Sequence, residues 1–61
     1  MEEVMQYVVY QNGDYYEFLA PSGVTKPTTG LTIGMWTESN TGKVYLYDKT
    51  NGWTEQFSLQ G

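Results

Sequence analysis

Apolar and polar residues alternate along this chain in short runs, most of them closed by a glycine or an Asn-Gly pair, and no window repeats with a helical period. Runs of this length, rich in Val, Tyr, Thr, Trp and Phe, predict strands. The first is expected over residues 4–11. Asn12-Gly13 then reads as a two-residue hairpin turn, since a type I′ turn needs positive φ at both central positions. The second strand, 14–19, pairs back in this reading with Tyr10 facing Tyr15, Val9 facing Tyr16 and Tyr7 facing Phe18. One face then carries Met5, Tyr7, Val9, Tyr16 and Phe18 and is apolar enough to be the buried side.

Residues 20–30, APSGVTKPTTG, hold both prolines and two glycines without alternation and predict an ordered surface connection, a hinge between two hairpin units. The β pattern resumes over 31–38, with Leu31, Ile33 and Met35 at alternate positions. A four-residue turn at 39–42 sets Glu38 against Lys43, Trp36 against Tyr45, Met35 against Leu46 and Gly34 against Tyr47. A second, at 49–52, sets Asp48 against Trp53, Leu46 against Glu55 and Val44 against Phe57. Ile33, Met35, Val44, Leu46, Trp53, Phe57 and Leu59 thereby share one face, expected to be the inner one. The expected fold is all-β, with residues 1–61 as a single small domain. It is a small antiparallel sheet of about five strands, a hairpin plus a three-stranded meander, curled into an open barrel or two layers.

Size sharpens this picture. A chain of 61 residues buries only about 60% of the surface its unfolded form exposes. Small domains offset that shortage with disulfides, a metal or a partner. With no cysteine and no histidine, neither a disulfide framework nor the usual zinc set is available, which leaves assembly with other chains. Five strands also leave edges that must be paired, charged or covered.

Charge and chemistry narrow the function. Seven acidic residues against three lysines give a net charge of -4, and there is no arginine, so no nucleic-acid partner is expected. No apolar run reaches the roughly 20 residues of a bilayer span, and Glu2 and Glu3 stand where a secretory signal would be basic, so no membrane partner is expected. A paired-carboxylate hydrolase needs two acids converging across a cleft, which the expected register does not supply. Residues 48–52, DKTNG, lack the alternating ligands and closing glutamate of a calcium loop and read as a turn. The abundant hydroxyls have no His or Cys to activate them, and the glycines form no phosphate-binding run. A non-enzymatic protein without cofactor, metal or catalytic residues is therefore expected.

Ten aromatic side chains remain. Most must be core. Trp36, Tyr45 and Tyr47, opposite the expected inner face, either shelter Gly34 and stiffen the sheet or form a protein contact patch, since Tyr and Trp are enriched at interfaces. The contact reading is the candidate site.

The segment Thr41-Gly42-Lys43-Val44-Tyr45-Leu46-Tyr47-Asp48, followed by Gly52-Trp53 and Glu55, resembles a recurring ending of very short virion-associated proteins and fibre modules of tailed bacteriophages and prophages. Pro27-Thr28-Thr29-Gly30-Leu31 through Trp36 is similar to their lead-in strand, so about half the chain is covered. The resemblance implies a capsid decoration or accessory protein binding the major capsid protein, other virion subunits or itself in many copies. It implies location in the virion, after passage through the host cytoplasm. The alternative is a phage-encoded inhibitor or adaptor that masks a host protein. With 16% of residues charged, dense mimicry of nucleic acid is not expected.

Overall fold

The computed structural model describes residues 2–59, with side chains from Val4 onward. A 3-10 helix, Glu2–Tyr7, precedes five strands: β1 Val8–Asn12, β2 Tyr15–Ala20, β3 Ile33–Glu38, β4 Lys43–Asp48 and β5 Gly52–Ser58. They form one sheet in the order β1-β2-β3-β4-β5, open at both edges and not closed into a barrel. The all-β class and strand count agree with the alternating pattern. The sheet is mixed rather than antiparallel throughout, because β2 and β3 run parallel.

That pairing follows from residues 21–32. Parallel neighbours need a crossover of about a dozen residues, and the segment between Ala20 and Ile33 supplies it without a helix. Nor is the segment a free hinge. Ser22 N donates to Asn40 Oδ1 at 2.9 Å and Asn40 Nδ2 to Ser22 Oγ at 2.9 Å, while Thr32 N donates to the Asp14 carbonyl at 3.1 Å. Over its middle, Trp53 Nε1 donates to the Pro27 carbonyl at 2.7 Å and Tyr47 Oη to the Thr28 carbonyl at 3.2 Å.

The chain's start also departs from the strand expected over 4–11. Side chains of a 3-10 helix eclipse every third residue. Val4 is accordingly buried and Tyr7 packed on the core, while Met5 is exposed. The crossover and this helix together cover one face of the sheet. Val4, Phe18, Ala20, Leu31, Trp36 and Tyr47 form the core there, with Tyr7, Val8, Tyr16, Val24, Tyr45 and Trp53 against it.

Three turns decide which residues reach that face. The β3–β4 register is as expected, with Trp36 opposite Tyr45, Met35 opposite Leu46 and Gly34 opposite Tyr47. In the first hairpin only Gly13 takes positive φ, 62°, and Asn12 pairs with Tyr15 around a Gly13-Asp14 loop, the pattern of a type II′ turn. Tyr10 therefore faces Glu17, not Tyr15. After β4, Gly52 at φ 72° already pairs with Asp48, so Trp53 faces Tyr47 instead of Asp48. A slip of one residue moves a side chain to the opposite face. A bulge restores Val44 opposite Phe57.

Candidate functional site

Of the three aromatics expected to make contact, Trp36 and Tyr47 lie in the core and Tyr45 packs against its rim. Trp36 is 0% exposed and Tyr47 8%. Tyr45 is half-buried, with the Lys26 ammonium 4.1 Å from its ring centroid and 5.4 Å from that of Trp36. Phe18 and Trp53 complete the cluster, their ring centroids 4.9 Å and 5.9 Å from Trp36. Trp36 and Tyr47 thus offer no surface to a partner as folded, and it is Leu31 and Trp53 that close over Gly34. The face assignment is corrected accordingly. Both faces of β3 and β4 carry large apolar side chains, so alternation groups them without saying which group is inside. The crossover, falling on the side of Trp36 and Tyr47, makes that choice.

What is left uncovered is the other face. Successive cross-strand partners give three rows of side chains. Tyr15, Ile33 and Asp48 form the first; Tyr10, Glu17, Met35, Leu46 and Thr54 the second; Leu19, Thr37, Val44 and Phe57 the third. Leu19, Ile33, Leu46 and Phe57 are between 42% and 54% exposed. Contiguous apolar surface of this kind marks an interaction site more often than scattered exposed residues do. Residues 33, 35, 44, 46 and 57 do share a face, as the alternation predicts, but it is the open one. Trp53 lies on the covered side.

The sheet edges compete less well as contact surfaces. β1 has five residues, and both β1 and β5 carry a register irregularity, between Val8 and Tyr10 and beside Gln56. Bulges and charges such as Glu55 blunt an edge against strand addition.

The open face also carries Tyr10, Tyr15, Glu17, Thr37, Asp48 and Thr54. Tyr15 Oη donates to Glu17 Oε2 at 2.6 Å. That hydrogen bond, together with partial burial and the negative charge beside it, pushes the Tyr15 hydroxyl up to about 12. Asp48 accepts from the backbone N–H of Asn51 at 2.7 Å and of Thr50 at 2.9 Å, and these bonds hold its carboxyl below the usual range. A shallow cleft of about 410 Å³ lies at one end of the sheet, between Asp14, residues 28–32 and Lys49. Its only titratable groups are Asp14 and Lys49, too little for a nucleophile with its base.

No family model, curated protein or solved structure matches this chain.

Proposed function

We propose that this chain is a non-enzymatic structural subunit of a tailed-phage particle, a decoration or accessory protein that docks the open face of its sheet on another virion protein. One observation carries the reading: Leu19, Ile33, Leu46 and Phe57, with the half-buried Met35 between them and Val44 buried beneath, form an apolar surface on a sheet whose opposite face is already filled. The similarity of residues 41–55 to short virion proteins supplies the class of assembly. A small domain with no disulfide to draw on gains stability from a partner in proportion to how well that partner binds the folded state.

Mass spectrometry of purified particles from the producing lysogen tests this. The protein should be present in many copies per particle, and a Leu46→Asp variant that still folds should be incorporated poorly. Its presence in infected-cell lysate but absence from particles would overturn the reading in favour of an inhibitor or adaptor of a host protein.

A further inference from the structure

Glu17 occupies an unusual place on the open face. Its neighbours across the strands are Tyr10 and Met35, and its same-face neighbours along β2 are Tyr15 and Leu19. The carboxylate is thus framed by aromatic and aliphatic groups, with Tyr15 Oη as its hydrogen-bond donor. Any surface laid over this face must either bring a cation to Glu17 or bury the charge with one neutral donor, and burying an unpaired charge is strongly unfavourable.

A second copy stacked through its own open face brings no cation from that face. Of the three lysines, Lys26 sits over Tyr45 on the covered side and Lys43 alternates with Tyr45 toward the same side, while Lys49 belongs to the β4–β5 turn. The open face carries Glu17 and Asp48 and no base, so two copies stacked face to face would gather four carboxylates.

We infer that the occupant of the open face is a different protein whose docking surface presents an arginine or lysine among apolar side chains, with Glu17 as the carboxylate that receives it. This rests on the reading of the open face as a docking surface. Glu17 in this role is a selectivity element: it admits partners that carry the cation and rejects both purely apolar surfaces and the chain's own copies. Tyr15 positions it, holding the carboxylate in place before the partner arrives.

Two measurements on the full chain test the inference. The first uses a cyclised β-hairpin peptide with a Leu-Arg-Val face and its twin with norleucine in place of arginine, titrated while the NMR methyl signals of Leu19, Ile33 and Leu46 are followed. The arginine peptide should bind about tenfold more tightly, as a desolvated charged hydrogen bond allows, and Glu17→Gln should abolish the preference. The second is sedimentation velocity: the native chain should stay monomeric, whereas Glu17→Leu, with the central carboxylate replaced by an apolar group, should self-associate. Equal binding of the two peptides would overturn the cation requirement while leaving the face a docking surface. Dimerisation of the native chain through those methyls would overturn it in favour of a second copy. No methyl shift with either peptide, together with a monomeric Glu17→Leu variant, would remove the docking reading itself.

Discussion

A Cβ built at position 34 would lie 2.8 Å from Leu31 Cδ1, 3.2 Å from Trp53 Cη2 and 3.5 Å from the Tyr16 carbonyl oxygen. The glycine is what lets the crossover and the indole close down on the sheet. Gly34→Ala should therefore destabilise the fold by about 1–3 kcal/mol through overpacking, a loss of roughly 4–8 °C in Tm per kcal/mol for a domain of this size. Thermal unfolding followed by circular dichroism checks it, and an unchanged Tm would mean that Leu31 and Trp53 have room to retreat. A second residue-scale effect follows from Tyr15. Its folded value of about 12 lies above the ordinary 10, so the hydrogen bond to Glu17 contributes fully below pH 10 and is lost as pH rises toward 12. The stability difference between the native chain and Tyr15→Phe should shrink over that window, and a difference independent of pH would exclude the coupling. Subtracting the variant isolates Tyr15 from the other five tyrosines.

At the scale of elements, the crossover is the piece that the alternating pattern could least reveal. The β3–β4 pairing was legible because Trp36, Met35 and Gly34 meet partners of matching character across a turn whose length the residues announce. The β4–β5 turn is one position shorter than its residues announce because Gly52 serves as the first residue of a strand while holding the positive φ of a turn. The parallel pairing of β2 with β3 carries no such local mark, since residues 21–32 lack the helical period that usually announces a crossover. Membership of the faces is thus partly legible, but which face is covered is not, and that is why Trp36 and Tyr47 lie buried where the alternation alone leaves them outside. If the crossover is the lid of the aromatic cluster, loosening it should expose Trp36. Trp53→Phe leaves Trp36 as the lone tryptophan. Adding Lys26→Ala to that background removes a cation–π contact worth about 0.5–1 kcal/mol at an exposed site, enough for about a two- to fivefold rise in the open population. Acrylamide quenching of Trp36 fluorescence should rise in step, and unchanged quenching would show that some other segment shields the ring.

For the molecule as a whole, the total surface is ordinary. Its 3920 Å² is close to the roughly 4,000 Å² that size scaling gives for a compact chain of 7.0 kDa. The shortage lies in what that surface is made of: one side of the sheet is covered by both the 3-10 helix and the crossover, while on the other Leu19, Ile33, Leu46 and Phe57 stay about half exposed.

The parallel pairing also bears on how the chain reaches this state. In a hairpin the pair nearest the turn forms first and each later pair is drawn in by the one before it. Between β2 and β3 no pair is nearest: Tyr15 meets Ile33 and Ala20 meets Glu38, each partner eighteen residues further along the chain. All six pairs face the same loop-closure entropy, so the seam between the hairpin and the meander closes as one event or not at all. Folding rates should therefore respond to destabilising changes within the β3–β4 hairpin, such as Gly42→Ala at the positive φ of its turn, more than to changes such as Leu19→Ala on β2 in the seam, which should mainly speed unfolding. Stopped-flow kinetics on the two variants would decide this, the reverse ranking meaning that the seam is the nucleus.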